Sequence, residues 1–149
     1  MTTNGQTILI MSVTAAAASD LCAGKVYNFL VLPALAGGIL IAGLEVPHSI
    51  PVILLAVLLT HLLLFPFWKA GGIGAGDIKL FSSIIPFLGV SWYLTCFVLS
   101  FIIAALVSIV VLLIYRDFSR RIHLAVPIGI SVMLCLLLWQ LGIQSPIQI

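Results

Sequence analysis

Residues 80–115 read LFSSIIPFLGVSWYLTCFVLSFIIAALVSIVVLLIY, 36 positions without a single Asp, Glu, Lys or Arg. A helix crossing the hydrocarbon core of a bilayer needs about 20 apolar residues, so this run is too long for one crossing and suits two. Pro86, Gly89 and the cluster Ser91-Trp92-Tyr93 mark the break. Pro and Gly interrupt helices, and Trp and Tyr favour the membrane–water interface. Working outward, further charge-free stretches cover 1–19, 26–44, 46–68 and 122–149. Lipid offers no partner to backbone N–H and C=O groups, so a spanning chain must be helical or form a closed barrel. None of these stretches alternates polar with apolar residues, which excludes the barrel.

The whole composition agrees with that reading. Hydrophobic residues make up 63% of the chain and charged residues 7%, with a mean hydropathy of +1.36. Soluble domains carry roughly 25% charged residues, so this chain has too few to cover itself with a wettable surface. The expected fold is an all-α integral membrane protein, one domain over 1–149. Its bundle of six transmembrane helices falls at about 5–21, 28–44, 49–68, 75–89, 92–115 and 123–143. The first nineteen residues hold no Lys or Arg, so they lack the basic start of a cleaved signal peptide and read as a retained span. A net charge of +2 is too small to suggest nucleic acid as a partner. Cys22, Cys96 and Cys135 are isolated, with no CxxC pair, and read as thiols packed among apolar side chains rather than as a metal or redox site.

The basic residues set the orientation. Lys25 lies in the first connection, Lys69 and Lys79 flank the third, and Arg116, Arg120 and Arg121 fill the fifth. The second connection carries Glu45 and His48, and the fourth carries no charge. All Lys and Arg thus fall on one side, which the positive-inside rule makes cytosolic, with both termini on the outer (periplasmic) side. His61 lies mid-span and reads as a neutral imidazole hydrogen-bonded between helices, with a functional role as the other reading. Trp68 and Trp139 read as interface anchors.

In so apolar a chain an ionisable group at membrane depth asks for an explanation. Asp20 closes the first span, and Asp77 opens the fourth just after Gly71-Gly72-Ile73-Gly74-Ala75-Gly76. The expected topology brings both carboxylates out at the cytosolic ends of their helices. Two carboxylates brought close cannot both ionise cheaply, so one keeps a proton while the other acts as base. That division hydrolyses a peptide bond with no metal and no covalent intermediate, and no cofactor is expected. Asp77 sits at a helix N-terminus, where the macrodipole favours an anion, and Asp20 near a C-terminus, where it does not. This points to Asp77 as base and Asp20 as acid. The glycines are expected to give backbone angles closed to other residues and to admit a substrate strand. Lys79 either tunes the charge of the pair or snorkels to the interface. The plain alternative is that each Asp is an interfacial residue or helix cap. Asp117, among Arg116, Arg120 and Arg121, reads as a solvated loop charge.

Gly74-Ala75-Gly76-Asp77-Ile78-Lys79-Leu80 resembles the GxGDxKL signature of type IV prepilin peptidases, the GxGD aspartic membrane proteases. Asp20-Leu21-Cys22-Ala23-Gly24-Lys25-Val26-Tyr27-Asn28 is similar to that family's first-aspartate segment, in which Asp precedes five variable positions and Ile-Pro-Asn. Val126-Pro127-Ile128-Gly129 is similar to its Pro-x-Gly stretch near the C-terminus. The resemblance covers nearly the whole chain in order. It implies Asp20 and Asp77 as the catalytic pair, with Gly74, Gly76, Lys79 and Asn28 supporting them or binding substrate. It also implies a multi-pass protein of the bacterial inner membrane that removes the short basic leader of prepilins or pseudopilins on the cytosolic face. Tyr27 stands where the family has Pro, which suggests a less rigid turn after the first span. The long members carry a cysteine-paired cytosolic region with N-methyltransferase activity, and this chain resembles the short, peptidase-only form of tight-adherence (Flp-type) pilus systems. Two other readings stay open: a related protease for archaellin-type signal segments, and a non-catalytic assembly factor or small proton or cation transporter using the same aspartates.

Overall fold

The computed structural model describes residues 3–115, 124–144 and 147. The connection that carries Arg116, Asp117, Arg120 and Arg121 lies outside the described residues, as do both chain ends. All regular structure among the described residues is helical: α1 Thr3–Ala23, α2 Asn28–Glu45, a single 3-10 turn Pro47–Ser49, α3 Ile50–Lys69, α4 Ala75–Tyr115 and α5 Ala125–Gln140.

The turns follow from the residues that make them. Gly71 ends α3 with a φ of +77°. Its N–H donates to the Trp68 carbonyl at 2.9 Å, and Gly72 N–H to the Phe67 carbonyl at 2.9 Å. This pair of bonds is a Schellman closure, which needs a left-handed residue and therefore favours Gly. At the other end of the bundle Pro47 begins the 3-10 turn between α2 and α3, where its missing N–H costs nothing.

α4 is a single run of helix only in name, because Gly89 inside it takes the non-helical angles φ +72° and ψ 167°. The Phe81 ring stands 5.0 Å from Phe97 and 5.8 Å from Phe101. Along an unbroken helix, residues sixteen apart would be separated by about 24 Å. The chain therefore folds back at Gly89, and the arms 75–88 and 90–115 lie side by side. The break falls within the stretch that the sequence marked, but helix resumes through Ser91, Trp92 and Tyr93.

Four stretches are long and apolar enough to cross a membrane: Asn4–Ala23, Asn28–Glu45, Pro47–Lys69 and Ala75–Ile114. Ala125–Gln140 is apolar but shorter. At 1.5 Å per residue the arm 75–88 spans about 21 Å and α5 about 24 Å. Both fall short of a hydrocarbon core of about 30 Å. The all-helical membrane architecture is as expected, and these two segments are the short members of it.

Packing is inverted relative to a soluble domain. Large apolar side chains cover the outside, with Leu44 78%, Phe29 76% and Leu113 73% exposed. The interior mixes Leu9, Phe81, Ile84 and Ile128 with buried Thr60, Ser82, Ser83, Ser100 and Ser131. Each buried serine has a carbonyl of its own helix within donating distance, as Ser82 has Ile78 at 2.9 Å. Several hydroxyls also bond across helices: Thr60 with Tyr93 at 2.7 Å, and Ser131 with Ser100 and with the Cys96 thiol. Lipid cannot drive helices together by the hydrophobic effect, so small residues and such bonds hold a membrane bundle. Gly38 of α2 shows the small-residue contribution, since a Cβ there would stand 2.8 Å from the Phe87 ring.

Candidate active site

Four helix ends meet at one end of the bundle: the end of α1 and the starts of α2, α4 and α5. Asp20 lies in the last turn of α1, where its carbonyl accepts the Gly24 N–H at 2.8 Å. Its Oδ2 accepts the Ala125 N–H at 3.4 Å. Ala125 is the first residue of α5, so its N–H is one of those a helix leaves without an internal partner. Asp20 is 7% exposed.

Asp77 is the third residue of α4 and is 9% exposed. Its Oδ2 accepts the Gly74 N–H at 3.1 Å, while its own N–H donates to the Gly74 carbonyl at 3.1 Å. This is the reciprocal half of a capping box, in which a side chain at the third helical position reaches back to the residue before the helix. The cap and the carboxylate are one construction.

The loop between α1 and α2 binds the two aspartate segments together. A Cβ on Gly76 would stand 2.9 Å from Val26 Cβ and 3.1 Å from the Val26 carbonyl oxygen. Two residues on, Asn28 Oδ1 accepts a hydrogen bond from Lys79 Nζ at 2.9 Å. Lys79 therefore ties the start of α4 to the start of α2. Lys25 stands 5.3 Å over the Tyr27 ring, a cation–π contact within the same loop. Tyr27 itself has φ −78° and ψ 135°, angles that a proline would also take. The turn at this position thus takes a course open to proline although a tyrosine occupies it.

Two expectations change in their reasons. Gly74 and Gly76 do not have left-handed backbone angles, and in that run Gly71 alone does. Space is what they supply: a Cβ on Gly74 would stand 2.9 Å from Asp77 Oδ2. The helix-dipole argument that separated Asp77 from Asp20 also loses its footing, because Asp20 faces the N-terminus of α5. Both carboxylates accept a main-chain N–H from a helix start, so neither is singled out as the base.

His61 Nδ1 lies 2.9 Å from the Val57 carbonyl of its own helix and within hydrogen-bonding distance, 3.2 Å, of Ser82 Oγ across from α3 to the first arm of α4. That is the interhelical hydrogen bond the sequence suggested. Cys96 and Cys135 are buried free thiols, and Cys22 is exposed.

Val26 and Ala125 were not singled out in the sequence. Val26 carries no chemistry that would draw notice. Ala125 had a signal: Pro127 in the first turn marks a helix start and hence unpaired N–H groups. The rest of the Val126-Pro127-Ile128-Gly129 stretch seats that start, with Gly129 packed on Val13 and Ala17 of α1.

The basic residues Lys25, Lys69 and Lys79 stand at this end, and Glu45 and His48 at the opposite end beside Gly89 and Trp139. Neither the curated proteins nor the solved structures gave a match to this chain. A family model described as the type IV leader peptidase family matches residues 7–109, more than half of the 149. The matched span takes in both aspartates, the loop that joins them and most of the hairpin of α4, and the chain belongs to the type IV leader peptidase family.

Proposed function

We propose that this protein is an aspartic endopeptidase of the bacterial inner membrane that removes the leader of a prepilin or pseudopilin, with Asp20 and Asp77 as its catalytic pair. One observation carries the reading: both carboxylates are buried at the same end of an apolar bundle, and each is oriented by a backbone N–H at a helix start. Family membership supports a peptidase acting on leader sequences. The lysines gathered at that end support a cytosolic site by the positive-inside rule. In the bilayer the chain makes six crossings as one domain, the two short segments bridging locally thinned lipid. Both termini lie on the periplasmic side.

The chemistry uses the chain's own groups. The ionised carboxylate takes a proton from water as the water oxygen bonds to the scissile carbonyl carbon. The protonated carboxyl gives its proton to the carbonyl oxygen, leaving a neutral tetrahedral diol. The newly protonated carboxyl then gives its proton to the amide nitrogen while the ionised one takes a proton from a diol hydroxyl, and the C–N bond breaks to leave a carboxyl on the leader and an amine on the mature pilin. Gly74 and Gly76 keep the space around Asp77 clear, and Lys79 with Asn28 holds the two helix starts in register.

The test is co-expression with a model prepilin: a basic leader ending in Gly, followed by an apolar helix. Asp20→Asn and Asp77→Asn keep the shape and the hydrogen bond to the N–H but cannot exchange the proton. Each is expected to lower leader removal by at least about a hundredfold while still inserting in the membrane. Normal processing by either variant refutes the aspartic mechanism. An impermeant thiol reagent tests the orientation in a background without native Cys. Glu45→Cys should label in intact cells and Lys25→Cys should not, and the reverse pattern refutes a cytosolic site.

A further inference from the structure

An apolar groove of about 560 Å³ runs between α1 and α5. Its walls include Ala17 and Leu21 on α1 and Val126, Ile130, Met133 and Leu137 on α5. The positions on α5 are spaced four, three and four residues apart, the seam by which one helix faces another. On the floor, Gly129 approaches Val13 and Ala17 closely, so the valley is walled by side chains and shallow at its centre.

The groove begins at the candidate active site. Leu21 follows Asp20, and Val126 follows Ala125, whose N–H the Asp20 carboxylate accepts. From Val126 to Leu137 the wall extends about 16 Å along the bundle, three helical turns into the apolar layer. The cavity lined by Glu45, His48 and Trp139 lies at the opposite end, away from both aspartates.

We propose that this groove is the docking site for the apolar helix of the client protein. The occupant is named on the strength of the peptidase reading, because a leader cleaved at the junction with an apolar helix leaves that helix entering the membrane beside Asp20. Continuity carries the assignment: the groove ends on Leu21 and Val126, next in the chain to Asp20 and to the residue whose N–H it accepts, and its long axis follows the path the client helix must take. Ridges of an incoming helix fit between the two seams, and the small residues of the floor let it approach closely. Binding along three turns fixes the depth of the junction relative to Asp20 and Asp77, so the groove acts as the ruler that selects the bond.

A photoreactive benzoylphenylalanine at Met133 tests this, placed in an Asp77→Asn background so that the readout does not depend on cleavage. The probe is a model prepilin with a basic leader ending in Gly and an apolar helix of Leu, Ala and Val. Irradiation should join position 133 to the prepilin, whereas the same group at the exposed Leu113, outside the groove, should not. With Asp77 intact, Ile130→Trp should raise KM for that prepilin about tenfold with kcat held within about twofold. Adducts at 133 only with lipid, or only with a second copy of the chain, overturn the proposal. So does cleavage of the prepilin by the parent protein with no adduct at 133. A prepilin that crosslinks at 133 but is never cut by the parent would refute the peptidase reading and leave the groove assignment standing.

Discussion

Asp77 and Asp20 are held by the same kind of bond at very different range. The N–H on Asp77 belongs to Gly74, three residues away, while the N–H on Asp20 belongs to Ala125, 105 residues away. A four-residue turn therefore fixes one carboxylate, and the packing of α1 against α5 fixes the other. The difference explains why the segment around Asp77 is compact and legible in the sequence. Cap, spacing glycine and acid all lie within one turn of helix. The Asp20 arrangement is scattered over both ends of the chain, and its sequence signal is correspondingly thin. It also implies different failure modes. Local strain should disable Asp77 with the bundle intact, whereas Asp20 should drift whenever the helices shift.

The sharpest way to break the local half is Gly74→Ala. Among the described residues the added Cβ meets only the Asp77 carboxylate, its oxygen at 2.9 Å, and a side chain can rotate away. The expected outcome is a loss of leader removal on the order of a hundredfold, with the amount of folded protein in the membrane unchanged. Gly76→Ala is the contrasting case, since its Cβ meets Val26 Cβ and the Val26 backbone oxygen. Backbone does not yield, so this variant should lose roughly 1–3 kcal/mol of stability. Cleavage time courses and detergent unfolding midpoints, measured on both, separate the two modes. Equal behaviour of the pair would mean that Gly74 has no special relation to the carboxylate.

The sequence was informative where the physics is local. Charge-free length implied helices, Pro86 and Gly89 located a break, and the two aspartates stood out because ionisable groups are costly in lipid. The fold-back of α4 at Gly89 was readable as an interruption. Its side-by-side arms depend on Phe81 meeting Phe97 and Phe101, which no local pattern encodes. Permissive angles hold at Gly71, but for Gly74 and Gly76 that reason was misread for a similar cause. Permissive angles are a property of the residue, but the space needed at Gly76 is set by Val26, fifty residues earlier. The dipole argument for base and acid lost its support because the helix that faces Asp20 is the last in the chain.

A smaller effect probes the remote half. Ser131 of α5 bonds to Ser100 and to Cys96 on the second arm of α4, with the Ile128 carbonyl also within reach of its hydroxyl. Ser131→Ala removes the interhelical bonds without changing the helix surface much. Such bonds in membrane bundles are worth about 0.6 kcal/mol on average, so the stability loss should be below about 2 kcal/mol. If Asp20 depends on the seating of α5, cleavage should fall by about threefold to tenfold together with the unfolding midpoint, which Gly74→Ala leaves unchanged. Unaltered cleavage together with a clear loss of stability would show that the start of α5 is held independently of the bundle's middle.

The smallest expected effect concerns the link between the two halves. Lys79 Nζ donates to Asn28 Oδ1 at 2.9 Å, an exposed contact that joins the start of α4, carrying Asp77, to the start of α2, which follows Asp20's loop. Water competes for both partners at such a site, so the net worth of a bond to a charged group is at the low end, about 1 kcal/mol. A double-mutant cycle with Lys79→Met and Asn28→Ala reads the coupling directly. Met keeps the length of the apolar stem while removing the ammonium, so lost packing does not confuse the result. Each single variant should slow leader removal no more than about fivefold, and the double variant should be no worse than the poorer single. That non-additivity is the signature of one shared contact. Additive losses would mean that Lys79 and Asn28 act on the substrate or the carboxylates separately. The two halves of the site would then be held together by packing such as that of Val26 against Gly76.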